Sequence, residues 1–133
     1  MILADAGVWI DYLNGITGPQ TAQLNSLLNE SDELAIADLT LTEVLQGIRD
    51  QRRYEQTRFL LRVLPIIHTT DPEIAMTAAQ NYPLLRARRI TIRKTIDTLI
   101  ATRCIADGHT LLFIDREFQP FVEHLGLTSA ISS

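Results

Sequence analysis

The chain has 133 residues, of which 46% are hydrophobic and 21% are charged. This length and balance fit one folded domain over residues 1–133 with a core of its own, and they exclude disordered and fibrous proteins. The formal net charge is −4, and the single cysteine, Cys104, excludes an internal disulfide and a zinc site built on cysteines.

The first half of the chain alternates short apolar runs with helix-like spacing. The pattern predicts, in chain order, a strand over 1–4, a helix from Val8, a helix over 21–28, a strand over 34–37, a helix opened by a capping box at 40–43, a helix over 54–63 and a strand over 64–68.

The second half continues the alternation. A helix opens at Asp71-Pro72 and continues to about residue 88, with a bend at Pro83, while 90–92 is either a loop or a brief extended piece. Thr95 is expected to cap a helix that Gly108 ends. A strand over 110–114, a short helix over 118–125 and a last strand over 127–131 complete the chain.

The strand runs are apolar without alternation, which is typical of strands buried on both faces. Strands that alternate with helices indicate an α/β domain with a central parallel sheet. No stretch is long or polar enough to link two domains.

No apolar run approaches the roughly 20 residues that a membrane-spanning helix needs. The apolar start is interrupted by Asp5 and lacks the basic residues and the cleavage site of a signal peptide. We therefore expect no membrane segment and a cytoplasmic location.

Four acidic residues stand where a parallel sheet can bring them together. Asp5 follows the first predicted strand and Asp115 the strand over 110–114, while Glu43 and Asp97 lie in the first turns of two predicted helices. Carboxyl ends of strands and the starts of the following helices lie at one edge of such a sheet, where ligands bind.

Clustered carboxylates repel one another, so four of them together need protons or a cation. Oxygen ligands favour a hard ion such as Mg²⁺ or Mn²⁺, which activates water and stabilises charge on a phosphodiester oxygen. The cluster thus predicts a metal-dependent nuclease. Each acid taken alone also has a structural interpretation, as a capping-box residue (Glu43), a first-turn acid (Asp97) or a turn residue after a strand (Asp5 and Asp115).

At these residues the chain resembles PIN-domain toxins of the VapC type. Four segments carry the resemblance in the family's order: Met-Ile-Leu-Ala-Asp5-Ala-Gly-Val-Trp-Ile-Asp-Tyr-Leu, Thr42-Glu43-Val-Leu-Gln-Gly-Ile-Arg49, Thr91-Ile-Arg-Lys-Thr-Ile-Asp97-Thr-Leu-Ile-Ala101 and Leu111-Leu-Phe-Ile-Asp115-Arg-Glu-Phe118.

The resemblance implies a three-layer α/β/α sandwich with a mostly parallel sheet. It implies a Mg²⁺-dependent endoribonuclease that is a homodimer and is held inactive by a VapB-type antitoxin. The family's metal-binding and catalytic acids correspond to Asp5, Glu43, Asp97 and Asp115. Glu117 stands where an Asp is common in the family and is a further candidate ligand for a second metal.

Three positions depart from the family pattern. Ala6 and Gly7 replace hydroxyl residues that usually follow the first Asp, and Ile114 replaces a polar residue before the fourth acid. Lost hydroxyls remove hydrogen bonds that support metal ligands. The departures keep open an alternative, a degenerate PIN domain that binds a protein partner without catalysis.

Eleven of the twelve basic residues are Arg, and several lie in two clusters, over 49–62 and 86–94. Such clusters are commonly solvated helix faces, but they also suit contacts with phosphate. Arg93 and Lys94 are the candidates for RNA contact because they precede Asp97. A phosphoacceptor signalling domain is a competing α/β fold with clustered acids, but it needs a lysine at the end of a late strand, and Lys94 precedes a helix instead.

Overall fold

The structure is a computed structural model that describes residues 1–131. Its strands are β1 (Ile2–Ala4), β2 (Leu34–Ala37), β3 (Ile66–Ile67), β4 (Thr110–Leu112) and β5 (Thr128–Ser129). Its helices are α1 (Ala6–Leu13), α2 (Pro19–Glu30), α3 (Asp38–Gln46), α4 (Gln51–Leu61), α5 (Pro72–Arg86), α6 (Thr95–Asp107) and α7 (Gln119–Leu125), with a 3₁₀ turn at Arg116–Phe118.

The five strands form one parallel sheet in the order β3-β2-β1-β4-β5. The chain winds from β1 outward through β2 to β3 and then returns to the other side of β1 with β4 and β5. The strand order therefore reverses between β1 and β4, which makes their carboxyl ends the topological switch point.

Successive residues of the central strands enter two separate cores. In β1, Leu3 packs with side chains of α5, α6 and α7, whereas Ala4 packs with side chains of α1, α2, α3 and α4. Leu111 and Leu112 of β4 divide in the same way. The predicted three-layer α/β/α sandwich with strands buried on both faces is thus confirmed.

The strands are shorter than the sequence predicts because pairing ends where a neighbour ends. β4 stops at Leu112, opposite the last residue of β1, rather than at Ile114. β3 contains only the two residues that pair with β2, so it begins after Pro65. The predicted last strand over 127–131 is reduced to Thr128–Ser129, which pair with β4.

The predicted capping box at 40–43 is wrong. Helix α3 begins at Asp38, directly after β2, and Thr40 lies buried inside the helix with 1% of its surface exposed. Glu43 is consequently in the second turn of α3 and not in the first. Thr95 is likewise the first residue of α6 rather than its cap, since Lys94 occupies the cap position.

Several helix ends agree with the sequence signals. Asp71 caps α5 by accepting a hydrogen bond from the Ile74 N–H, and Gly108 ends α6 in the left-handed conformation, with φ of 73°. Pro83 lies inside α5, and residues 90–92 have no regular structure. None of the helices within residues 1–131 has the length and apolar character needed to cross a membrane.

Candidate metal centre

The carboxyl ends of β1 and β4 position two of the predicted acids. Asp5 follows β1 directly as the N-cap residue of α1, and only 7% of its surface is exposed. Asp115 comes three residues after the end of β4 and caps the 3₁₀ turn, where its Oδ1 accepts a hydrogen bond of 2.9 Å from the Glu117 N–H.

Two helices supply the other predicted acids. Asp97 is the third residue of α6 and is 4% exposed, so the helix start delivers an almost fully buried carboxyl group. Glu43 in α3 is half-buried. Asp97 and Glu43 lie close enough to raise one another's electrostatic energy, as do Asp5 and Glu43.

Three acids form the tightest group. Asp97, Asp115 and Glu117 each place a carboxylate oxygen within 4.8 Å of the others, a spacing at which one ion can contact all three. Among the described residues, Glu117, the weaker sequence candidate, thus belongs to this group, whereas the predicted ligands Asp5 and Glu43 do not. The 3₁₀ turn brings Glu117 there, and the turn is short enough that no periodicity predicts it.

Burial and mutual repulsion shift the pKa values of the cluster. Desolvation raises the pKa of Asp5 to about 6, helped by the charges of Glu43 and Asp115 and opposed by the backbone N–H groups of Ala6 and Gly7. Clustered carboxylates without a cation behave in this way, because each resists ionisation beside the others.

The pKa of Asp97 is raised further than that of Asp5. Burial raises its pKa to about 7, with Asp5 the largest charge acting in the same direction and Lys94 the one that opposes it. The pKa of Glu43 is also raised, first by burial and then by Asp97. The site therefore retains protons near neutral pH unless a cation replaces them.

Buried carboxylate oxygens without hydrogen-bond partners indicate whether a metal ion fits the acidic cluster. Within residues 1–131, four buried side-chain polar atoms lack a hydrogen-bond partner, and three of them are carboxylate oxygens of this cluster: Asp5 Oδ1, Glu43 Oε1 and Glu117 Oε2. A buried carboxylate oxygen without a donor is costly. Hard oxygen ligands of this kind match Mg²⁺ or Mn²⁺, so the residues present fit a divalent ion.

Lys94 is a cation beside the acids. Its Nζ donates a hydrogen bond of 3.4 Å to Asp115 Oδ2, and that contact, followed by the charge of Asp97, raises the pKa of the lysine. The neighbouring Arg93 is exposed and makes no ion pair or side-chain hydrogen bond within the described residues. The two bases that the sequence grouped together thus have different surroundings.

The three departures from the family pattern lie around the cluster. Ala6 is buried and Gly7 is exposed in the first turn of α1, next to Asp5. A Cβ atom added at Gly7 would meet no atom within 4 Å, so nothing in the packing requires glycine there. Ile114, just before Asp115, is 42% exposed.

The sequence matches the family model described as PIN domain over residues 2–121, and the chain therefore belongs to the PIN-domain family. PIN domains are generally nucleases, and a carboxylate cluster suited to that chemistry is present.

Solved structures share this fold over nearly the whole chain. VapBC2 from Rickettsia felis, bound to a DNA fragment from its promoter, is 20% identical with a TM-score of 0.70, covering 100% of both chains. FitAcB from Neisseria gonorrhoeae is 20% identical with a TM-score of 0.73, covering 97% of this chain and 96% of that one. DNA-bound VapBC from Salmonella typhimurium is 15% identical with a TM-score of 0.72, covering 96% and 95%. At these identities the likeness establishes the fold.

Proposed function

We propose that this chain is the toxin of a VapBC-type toxin–antitoxin pair and a Mg²⁺-dependent endoribonuclease. The observation that carries the proposal is the acidic cluster at the switch point of a PIN-domain sheet. In it Asp97, Asp115 and Glu117 lie within reach of one ion, and Asp5, Glu43 and Glu117 have buried oxygens without hydrogen-bond partners. We assign Asp5, Glu43, Asp97 and Asp115 as the catalytic metal-binding residues and add Glu117 to them.

The placement of three of these acids suits the binding of an ion. Asp5 and Asp97 offer buried, rigidly placed carboxylates, and Asp115 is oriented by the N–H of Glu117. A bound divalent ion would activate water and stabilise charge on a phosphodiester oxygen of RNA. Arg93, which is exposed and precedes Lys94 in the chain, is proposed to contact the RNA backbone together with the ammonium of Lys94.

The test compares charge-matched variants on a labelled RNA. Asp5→Asn and Asp97→Asn are each expected to lower Mg²⁺-dependent cleavage at least 100-fold, because each removes a buried ligand. Asp32→Asn makes the same charge change before β2, at the opposite edge of the sheet, and should cleave like the parent chain. Unchanged cleavage by both site variants would contradict the proposal.

A non-catalytic PIN domain is the second candidate, favoured by Ala6, Gly7 and Ile114. Supporting hydrogen bonds around Asp5 and Asp115 are fewer than the family pattern supplies, which weakens metal sites. Calorimetry with Mg²⁺ or Mn²⁺ on partner-free protein distinguishes the two: no heat of binding would favour the non-catalytic domain.

The proposed protein partner is a VapB-type antitoxin. An apolar groove between α1 and α3 is lined by Ile10, Leu13, Val44 and Ile48, with Arg49 beside them. Glu43 precedes Val44 in α3, so a peptide in this groove would bind the helix that carries Glu43. We propose that an apolar antitoxin segment with acidic side chains occupies it, because Arg49 would pair with such acids.

Co-expression with the small reading frame expected directly before this gene tests that assignment. Ile10→Asp places a charge in the groove and should abolish co-purification of the two chains. Met76→Asp makes the same change at an exposed position of α5 and should leave the complex intact. Equal co-purification of both variants would exclude the groove.

We propose that the chain forms a homodimer and is located in the cytoplasm. Apolar side chains exposed on α4, Phe59 at 64% and Val63 just beyond its end at 71%, provide surface that a second copy would bury. Light scattering on the purified chain measures the mass directly, and Val63→Asp should shift a dimer toward the monomer.

A further inference from the structure

We propose that Lys94 takes the position of a second divalent cation at Asp115, so that the cluster binds one divalent ion per chain. The inference rests on the metal site of the proposed function. It adds the number of divalent ions bound per chain and a role for Lys94, which is not one of the acidic ligands.

Both carboxylate oxygens of Asp115 accept a hydrogen bond. Its Oδ1 accepts a hydrogen bond of 2.9 Å from the Glu117 N–H, and its Oδ2 accepts one of 3.4 Å from Lys94 Nζ. Both oxygens therefore already have a positively polarised partner. Two-metal sites place their ions roughly 3.5–4 Å apart and share carboxylates between them. A second ion bound through Oδ2 would have to displace the ammonium.

The position of Lys94 makes that displacement unfavourable. The residue caps α6, and Asp97 follows three residues later, so both groups belong to one helix start. Asp97 and Glu117 also attract the ammonium. A lysine placed next to three acids by its own backbone gains little by moving away, whereas a second dication would be repelled by both the ammonium and the first ion.

Unpartnered oxygens and the spacing of three acids indicate where the single ion binds. Asp5 Oδ1, Glu43 Oε1 and Glu117 Oε2 are buried without partners within residues 1–131. Asp5 is itself more than nine-tenths buried, so water satisfies its oxygen poorly. The single ion is placed at Asp97, Asp115 and Glu117, whose carboxylate oxygens lie within 4.8 Å of one another, and Lys94 would supply the remaining positive charge at Asp115.

Counting bound Mn²⁺ tests the proposal without reference to cleavage. Electron paramagnetic resonance of free Mn²⁺ during titration gives the number of ions bound per chain. The parent chain and Lys94→Arg, which keeps the charge, are expected to bind one ion, and Lys94→Ala to bind two. Arg93→Ala removes an adjacent exposed charge that makes no ion pair in the described residues and should bind one. Because the Lys94 side chain is 61% exposed, its truncation should leave the thermal transition in place.

The outcomes separate this inference from the proposed function. Two ions on the parent chain, or one on Lys94→Ala, overturn the inference alone. No bound Mn²⁺ on the parent chain overturns both the inference and the proposed metal site. One ion on the parent chain and two on Lys94→Ala, with no RNA cleavage by either, would support the inference while contradicting the nuclease.

Discussion

The backbone N–H of Asp5 donates a hydrogen bond of 2.9 Å to the carbonyl oxygen of Leu112. This bond continues the ladder between β1 and β4 one residue past the end of β1. It fixes the point at which α1 begins relative to the end of β4, and with it the approach of Asp5 to the acids that follow β4. The geometry of the cluster thus depends on sheet pairing as much as on helix placement.

Without metal, the chain should lose stability as pH rises from about 4 to 7. Asp5 and Asp97 have raised pKa values in the folded state, about 6 and about 7, so between pH 4 and 7 the folded chain holds more protons than the unfolded one. Stability therefore falls with rising pH in this window. The Asp5 shift alone corresponds to roughly 3 kcal/mol. Urea unfolding in a chelator at pH 5 and pH 7.5 measures the difference.

Asp97→Asn provides the control for that pH dependence. Asparagine has nearly the same shape and no charge to ionise, so the variant should lose much of the decline between the two pH values. Asp32→Asn, at the far edge of the sheet, should keep it. A parent chain that is more stable at pH 7.5 than at pH 5 without metal would contradict the assignment of the raised pKa values.

Metal binding should release protons near neutral pH. At pH 6.5 the two raised acids hold on the order of one proton between them, and metal binding removes it because ligands must be deprotonated. Titration calorimetry with Mg²⁺ in two buffers of different ionisation enthalpy measures the number. Asp97→Asn should release fewer protons, whereas proton release independent of this substitution would place the titrating group elsewhere.

The positions of Asp5 and Asp115 after strands could be predicted from the sequence because the end of an apolar run is a local signal. Glu117 could be placed less firmly, since its approach depends on a three-residue turn and on its own N–H bonding to Asp115. The spacing of Thr40 and Glu43 predicts a capping box, which places Glu43 in the first turn of a helix. In the structure Thr40 is a buried core residue, and the real start of α3 is set by the end of β2.

The ends of the short strands could not be predicted for a different reason. Residues 113 and 114 are apolar and suit a strand, but β1 has already turned into α1 at that level and offers them no partner. Pairing between distant segments therefore decides where β4 ends. The same applies to Lys94, whose contact with Asp115 joins residues that only the tertiary fold brings together.

Gly7→Ser should stabilise the chain and strengthen metal binding. Serine is favoured over glycine inside a helix by about 0.5 kcal/mol, and a Cβ at this position meets no atom within 4 Å. The added hydroxyl would also stand two residues after Asp5, where the family pattern has one. Gly7→Ala separates the effects: it should raise the free energy of unfolding similarly without raising Mg²⁺ affinity. Equal Mg²⁺ affinity of the Ser and Ala variants would show that the hydroxyl contributes nothing.

Asp38 should stabilise the sheet edge without taking part in the site. Its Oδ1 accepts hydrogen bonds from the Thr69 N–H at 3.0 Å and from the Thr69 hydroxyl at 2.6 Å, which ties the end of β2 to the segment after β3. Burial alone would raise the pKa of Asp38, but these bonds and that of the Leu39 N–H hold it below its usual value.

Asp38→Ala leaves the donors of a fully buried Thr69 unpaired, and unpaired buried donors cost about 1–3 kcal/mol. We expect a loss of about 2 kcal/mol in the free energy of unfolding at pH 7. Thr69→Val removes only the hydroxyl and should cost less, because its N–H keeps its acceptor. Since the pKa of Asp38 is lowered, its contribution is present above the unfolded pKa and disappears as pH falls through the folded one. Urea unfolding of both variants at pH 7 and pH 3 checks this, and an Asp38→Ala loss that persists undiminished at pH 3 would show that the carboxylate charge is not its cause.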